Sequence, residues 1–174
     1  MQAAVLEQAK DAMLRAKLAA LLPELRAFAR FLAASRSEAD DLVQEALLRA
    51  LRMLDRVEDE AGLRPWCLGI LRNVFHETRR RKRREALHAQ QSDPEGSISA
   101  PQEAQGDLSD LSHALRNLSP TLREAVLLVG AQGLSYEEAA EVCAVPVGTM
   151  KARVSRARTL LAGSLGGALA PVTR

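Results

Sequence analysis

The side chains of this sequence that are best suited to chemistry are cations and hydroxyls that could contact nucleic acid. One set follows Pro146 and consists of Thr149, Lys151, Ala152, Ser155 and Arg156. A helix that carries small, hydroxyl and cationic residues on its outer face suits the major groove of DNA, which is about 12 Å wide. A second set lies upstream and consists of Arg72, Asn73, His76, Arg79, Arg80 and Arg83. Both sets predict binding to a polyanion.

The first set depends on a helix, a tight turn and a second helix predicted at residues 135–161. Ser135 followed by Glu138 three residues later is a capping box, and Pro146 opens the second helix. At about 100° per residue, one narrow sector of that helix collects Met150, Val154, Ala157 and Leu161. These four predict the buried face, so the first set points away from the core. The alternative is a solvated helix in an all-α bundle, because helix-turn-helix geometry also occurs without DNA.

The second set depends on a helix predicted from Leu63 to beyond Arg84. Its apolar side is formed by Leu63, Trp66, Cys67, Ile70, Leu71 and Val74. The reverse side carries the second set, and residues 79–84 are six consecutive cations. Because such cations repel one another, phosphate is their expected partner, although a plain solvated face is the alternative.

A further amphipathic helix is predicted to begin at Ser37, with Asp40 completing a capping pattern. Its apolar stripe is formed by Leu42, Val43, Ala46, Leu47, Ala50, Leu51 and Leu54. The remaining face carries Asp41, Gln44, Glu45, Arg49 and Arg52. Acids near the N-terminal end and arginines near the C-terminal end complement the helix dipole, so the residues alone favour a stabilising role for this face.

The chain as a whole predicts an all-α protein with two small helical domains, at residues 1–85 and 108–174. An N-terminal helical segment spans residues 3–34 and is broken or restarted at Pro23. From Glu85 to Asp110 the sequence has six acidic residues and no lysine or arginine, and it lacks apolar periodicity. Residues 86–107 are therefore predicted to be a flexible acidic linker. The formal net charge is only +2, so the charge is concentrated in the two domains rather than in the chain overall.

Enzymatic and membrane functions are not indicated. The sequence has no glycine-rich phosphate loop and no nucleophile elbow, and His76, His88 and His113 are isolated, so we expect no catalytic residue, metal site or cofactor. Cys67 and Cys143 lie far apart in helical segments and are expected to be reduced core thiols. Without a signal peptide or an uncharged run of about 20 apolar residues, we expect a cytoplasmic protein with no membrane insertion.

Several motifs, in their order along the chain, resemble those of extracytoplasmic-function sigma factors. They are ADDLVQE at residues 39–45, LRPW at 63–66 followed by ILRN at 70–73, LSYEEAA at 134–140, and VGTMKARVSRAR at 147–158. The resemblance runs from about Leu21 to Leu161 and covers both predicted domains. The EEAAEVC run and the six cations also resemble the general-stress subgroup of alphaproteobacteria.

The resemblance implies that the first domain, region two, docks on the β′ subunit of core RNA polymerase through Asp41, Gln44 and Glu45. It also implies that this domain melts the minus-ten promoter element. The loop at residues 55–62 would hold a base flipped out of the non-template strand, and the second set would hold that strand.

The second domain, region four, would bind the minus-thirty-five element through Lys151, Ala152, Ser155 and Arg156. The sequence departs from the family at Ala144, where the turn usually has glycine. A left-handed conformation costs an alanine roughly 1 kcal/mol, which predicts a slightly strained or altered turn.

The implied partners are core RNA polymerase through its β′ and β subunits, promoter DNA, and an anti-sigma factor that covers polymerase-binding surfaces. The implied function is transcription initiation at a stress regulon. One alternative is a sigma-like module that titrates an anti-sigma factor. Such mimics carry a receiver domain after the sigma-like part, and we do not expect one here because the sequence reaches Arg174 without it. The other alternative, a helix-turn-helix repressor, leaves the motif at residues 39–45 unexplained.

Overall fold

The computed structural model describes residues 2–57, 59–92 and 110–165, and the chain divides into two compact units, Met1–Ala104 and Gln105–Arg174. The described parts of both units are helical, and no β-strand occurs in them. The expected all-α class is confirmed.

The described residues of the first unit form four α-helices: α1 (Gln2–Ala20), α2 (Leu22–Leu32), α3 (Arg36–Arg52) and α4 (Leu63–Ser92). Pro23 lies in the first turn of α2, as the predicted restart requires. Two short 3₁₀ turns, Leu54–Arg56 and Glu60–Gly62, connect α3 to α4. Helix α3 packs against both α2 and α4, and its core residues are Ala39, Leu42, Val43, Ala46 and Ala50.

The predicted cap of α3 is wrong by two residues, because Ser35 rather than Ser37 is its N-cap. The Ser35 Oγ accepts a hydrogen bond from the Glu38 N–H at 3.1 Å, and the Glu38 carboxylate accepts one from the Ala34 N–H at 2.8 Å. Glutamate three residues after the cap is long enough to reach back to the chain before the helix, which Asp40 behind Ser37 is not.

The predicted apolar stripe of α3 is also too wide. Leu51 is 38% exposed, although its place in the stripe predicts a core position, and Leu48 is 44% exposed. At about 100° per residue, Leu51 lies roughly 120° from the centre of the buried face, outside the sector that α2 and α4 cover.

Helix α4 extends further than predicted. Leu63, Cys67, Leu71 and Val74 are buried, while residues 79–88 are all exposed, so the helix continues past the end of its core as expected. It ends at Ser92 and thus enters the segment predicted to be a linker from residue 86. The rest of that predicted linker lies outside the described residues.

The second unit contains α5 (Asp110–Asn117), α6 (Pro120–Val126), α7 (Tyr136–Cys143) and α8 (Val147–Ser164). A π-helical turn, Leu127–Ala131, continues α6, and Gly133 with a φ of 66° ends it. Ser119 precedes α6 but makes no side-chain capping bond. Instead, the Arg123 guanidinium donates to the carbonyl oxygens of Arg116 and Leu118, at 2.5 and 3.1 Å, and so closes the C-terminal end of α5.

Helices α7 and α8 form the predicted helix-turn-helix. The capping box is confirmed, since the Ser135 N–H donates to the Glu138 carboxylate at 2.7 Å and the Glu138 N–H donates to the Ser135 Oγ at 3.1 Å. Ala144 has a φ of 51° and a ψ of 50°, which is left-handed. Pro146 is the N-cap of α8 rather than its first residue. The predicted buried face is confirmed, with exposures of 0% for Met150, 1% for Val154, 0% for Ala157 and 4% for Leu161.

Candidate nucleic-acid and polymerase interfaces

The outer face of α8 presents the first set of predicted DNA contacts to solvent. Thr149, Lys151, Ala152, Ser155 and Arg156 are all exposed. Because Met150 and Val154, which alternate with them, anchor the opposite side in the core, the face is held by a rigid element. The predicted orientation is confirmed, and DNA contact by these residues stays a prediction.

Lys151 is held against the other helix of the motif. Its Nζ lies 5.7 Å from the centre of the Tyr136 ring, and Tyr136 is the half-buried first residue of α7. This distance is within the range of a cation–π interaction, about 6 Å. Periodicity in the sequence does not indicate this role for Tyr136, since the contact crosses from one helix to the other and has no helical period.

The second predicted set lies along one side of α4. Arg72 and His76 are half-buried, while Asn73, Arg79, Arg80 and Arg83 are exposed. Four of these residues, Arg72, Asn73, His76 and Arg80, line a recess of about 180 Å³ together with Glu77. The structure therefore brings the first part of the set together, and Arg83 continues it along the helix.

Aromatic contacts support this side of α4. The Arg79 guanidinium lies 5.6 Å from the centre of the buried Phe75 ring, and the Phe75 and His76 rings are 5.4 Å apart. Since Phe75 is only 5% exposed, it supports its neighbours and offers no face on which a base could stack.

The remaining cations of the basic run include two with carboxylate partners. The Lys82 Nζ lies 2.8 Å from the Glu38 carboxylate, and the Arg81 Nε lies 3.7 Å from that of Glu85. Burial by itself would raise the pKa of Glu38, but hydrogen bonds from Lys82 and the Ala34 N–H and the charges of Lys82 and Arg79 hold that pKa below its usual value. Lys82 therefore connects the run to α3, while the partner of Arg81 belongs to α4 itself.

The predicted polymerase contacts lie on α3. Asp41 and Gln44 are exposed, and Glu45 is half-buried. The Glu45 carboxylate accepts from the Arg49 Nε at 2.7 Å, and the Arg49 Nη1 lies 2.7 Å from the Glu77 carboxylate on α4. Hydrogen bonds to these two carboxylates raise the pKa of Arg49. Arg49 therefore links the predicted polymerase-binding helix to the predicted DNA-binding helix.

Two exposed leucines extend the α3 face. Leu48 and Leu51 follow Gln44 at four and seven residues, so the three side chains lie on one side of the helix. The predicted stripe places Leu51 in the core and assigns no role to Leu48. An angular plot of the whole of α3 puts both leucines outside the sector that its buried residues occupy.

The acids of α3 and the cations of α4 line one groove. Its volume is about 640 Å³, and its walls include Asp41, Glu45, Arg81, Lys82 and Arg84. The acids of α3 and the cations of the basic run are therefore neighbours in the fold. Because their charges are opposite, a ligand that binds to one group alters the electrostatic potential at the other.

The loop predicted to hold a flipped base is fixed at its second half. The Asp59 carboxylate accepts from the Ala61 N–H at 3.2 Å, and Glu60 forms an ion pair with Lys17 of α1. Glu58 lies outside the described residues. The loop is therefore tied to both its own turn and the N-terminal helix.

Cys67 and Cys143 are buried and form no disulfide, and burial raises the pKa of the Cys67 thiol to about 12. Among the described residues, no three histidine, cysteine, aspartate or glutamate side chains are placed to hold a metal ion. None of the helices within that part of the chain has the length and apolarity to cross a membrane.

Comparison with known proteins gives two family matches. Sigma-70 region 2 matches residues 18–85, and Sigma-70 region 4 matches residues 108–161. The chain is 44% identical over 153 residues to the ECF RNA polymerase sigma factor EcfG of Rhodopseudomonas palustris, covering 87% of this chain and 84% of that protein. It is 39% identical over 125 residues to the ECF sigma factor SigC of Mycobacterium tuberculosis, covering 71% and 68% of the two chains.

The fold also matches a solved structure. The sigma factor RpoE of Bartonella quintana, crystallised with the anti-sigma factor NepR, superposes with a TM-score of 0.76 at 40% identity. The match covers 89% of this chain and 98% of that one.

Proposed function

This chain belongs to the family of extracytoplasmic-function sigma factors, and we propose that it directs transcription initiation through three surfaces, one for polymerase and two for promoter DNA. The observation that carries the proposal is that the three predicted contact sets, one exposed throughout and two partly exposed, lie on helices whose opposite sides are buried. In this proposal the chain binds core polymerase and positions it at the promoter, and core polymerase carries out RNA synthesis. We place this activity in the cytoplasm, at promoters of a stress regulon.

Polymerase docking uses the α3 face. Asp41 and Gln44 are exposed, Glu45 is oriented by Arg49, and Leu48 and Leu51 supply apolar surface beside them. Interfaces combine buried apolar anchors with oriented polar groups, which this mixture provides. We assign this face to the β′ subunit and a contact of the second unit to the β subunit.

Promoter opening uses the side of α4 that carries the second set, of which Arg80 also lines the groove beside α3. Arg72 and His76 are half-buried and the later arginines are exposed, so a single strand would pass from a recess onto an open cationic surface. Cationic grooves track the backbone of single strands, and capture of a flipped base in the loop at residues 55–62 would offset a few kcal/mol of unstacking.

Recognition of the minus-thirty-five duplex uses the outer face of α8. Lys151, Ser155 and Arg156 are exposed on a helix that its own core anchors, as direct readout in the major groove requires. Lys151→Ala or Arg156→Ala should therefore weaken duplex binding. Arg156→Ala should leave the unfolding temperature unchanged, and Lys151→Ala, which also removes the contact with Tyr136, should lower it by only a few degrees. If both variants bound the duplex like the unmodified protein, the assignment of this face would be wrong.

The docking assignment is tested by gel filtration of the protein with purified core polymerase. Asp41→Ala/Glu45→Ala should abolish or sharply reduce co-elution while costing little stability, because Asp41 is exposed and Glu45 only half-buried. Asp11→Ala/Glu137→Ala removes the same charge outside this face and should co-elute normally. Loss of folding in the first pair, without a specific docking defect, would support a purely stabilising role.

Regulation by an anti-sigma factor would use the same α3 face. The Bartonella quintana relative is bound to the anti-sigma factor NepR, and we propose an anti-sigma partner for this chain that covers the α3 face. Core polymerase and the anti-sigma factor should then compete. A stable ternary complex of the three proteins would contradict this part of the proposal.

The alternative function, titration of an anti-sigma factor without transcription, shares the α3 face but has no need of the α8 face. Sequence-selective duplex binding that depends on Lys151 and Arg156 therefore separates the two functions. A repressor would bind the duplex but would not co-elute with core polymerase.

A further inference from the structure

We propose that Tyr136 is a positioning residue for Lys151 and thereby sets how sharply the α8 face discriminates among minus-thirty-five sequences. The proposal rests on the function proposed above, since it concerns one lysine of the assigned DNA-binding face. Tyr136 lies on α7, outside that face.

The two side chains come from separate helices that the turn holds in place. Tyr136 is the first residue of α7 and lies within the capping box that Ser135 and Glu138 form, which fixes the backbone of Tyr136. Lys151 lies just after the first turn of α8, with its Nζ 5.7 Å from the ring centre. The backbone of both partners is thus anchored before any DNA binds.

A lysine side chain whose position is not fixed discriminates poorly among base sequences. Its ammonium is a compact charge on a flexible four-carbon stem, so it can meet several phosphates or base edges with similar energy. The negative face of an aromatic ring attracts the ammonium and narrows the positions it occupies. Because the ordering cost is then incurred in the free protein, binding is stronger where the held position of the ammonium fits the duplex and gains nothing where it does not fit.

Two other roles for Tyr136 would give different results. As a half-buried side chain it could merely pack between the helices, in which case its loss would reduce stability and not selectivity. Its hydroxyl could contact the duplex directly, in which case the ring without the hydroxyl would not suffice and the effect would not depend on Lys151.

The experiment uses holoenzyme assembled from the full chain and purified core polymerase. Wild-type holoenzyme first selects duplexes from a pool with a randomised upstream region, and a labelled selected duplex then serves as the probe. Dissociation constants are measured for Tyr136→Phe, Tyr136→Leu, Lys151→Ala and Tyr136→Leu/Lys151→Ala, together with a duplex of unrelated sequence.

We expect Tyr136→Phe to bind like wild type, because the ring is kept. Tyr136→Leu should weaken binding to the selected duplex by about two- to five-fold, the range of an exposed cation–π interaction. It should leave binding to the unrelated duplex unchanged and add nothing in the Lys151→Ala background.

Additive effects of Tyr136→Leu and Lys151→Ala, or failure of Tyr136→Phe to retain affinity, would overturn the proposal and leave the assigned function intact. Normal binding by Lys151→Ala would overturn it as well, whereas failure of wild-type holoenzyme to select any sequence would instead refute the assigned function. Should Tyr136→Leu fail to fold, Lys151→Met gives a second test. Tyr136 is the only tyrosine of the chain, so its ring NMR signals should shift in that variant, and unchanged signals would contradict the contact.

Discussion

Replacing Ala144 with glycine should stabilise the second unit. Ala144 occupies the left-handed region, with φ at 51° and ψ at 50°, between the two helices of the helix-turn-helix. That conformation costs an alanine about 1 to 2 kcal/mol, which glycine does not incur. Glycine gives up about 0.4 to 1 kcal/mol because it is freer in the unfolded chain. The expected net gain is about 0.5 to 1 kcal/mol, which for a domain of this size raises the unfolding temperature by roughly 2 to 8 °C.

Thermal unfolding followed by far-UV circular dichroism measures this gain, and fluorescence of Trp66, the only tryptophan, follows the first unit as an internal reference. Ala152→Gly is the matched control, because Ala152 is exposed within α8, where the same change should cost about 0.5 to 1 kcal/mol. If Ala144→Gly lowered the unfolding temperature, or shifted it as Ala152→Gly does, the turn would not be strained and the reasoning would be refuted.

Three further outcomes follow from the contacts. The pKa of Glu38 is lowered in the folded protein, so its ion pair with Lys82 stabilises the protein at pH values above the unfolded pKa of about 4.5. This stabilisation is lost as the pH falls through the lower pKa of the folded state. Between pH 5 and 3, the urea midpoint of Glu38→Gln should therefore decrease less than that of the unmodified protein. An unchanged pH profile would contradict this. Arg123→Met should destabilise the second unit by about 1.5 to 3 kcal/mol in chemical denaturation, because a charged donor to the Leu118 carbonyl is lost. With its pKa near 12, Cys67 should resist alkylation at pH 8 until the first unit unfolds, and rapid native labelling seen by mass spectrometry would show that it is accessible.

Features with a helical period could be predicted from the sequence. The buried sector of α8, from Met150 to Leu161, follows from local spacing alone, and so does the outward direction of the residues between them. The capping box at Ser135 is predictable for the same reason, since its two partners are three residues apart. Local chemistry also led to one error, because Ser35 and Ser37 offer similar caps and only the reach of Glu38 decides between them.

Contacts between helices could not be predicted in this way. Lys82 and Glu38 are separated by 44 residues, and the groove that joins the acids of α3 to the cations of α4 exists only once the helices pack. An angular plot places Leu51 at the margin of the apolar side of α3, and how far α2 and α4 cover that margin depends on how the helices pack. The support of Lys151 by Tyr136 belongs to this class as well.

Run-off transcription with purified core polymerase tests the central claim most directly. The template carries a promoter selected by the wild-type holoenzyme upstream of a fixed cassette. We expect a discrete transcript that requires this protein, that falls sharply with Asp41→Ala/Glu45→Ala, and that falls with Lys151→Ala/Arg156→Ala. A transcript that appeared without the protein, or no transcript despite a stable complex with core polymerase, would contradict the assignment of this chain as a working sigma factor.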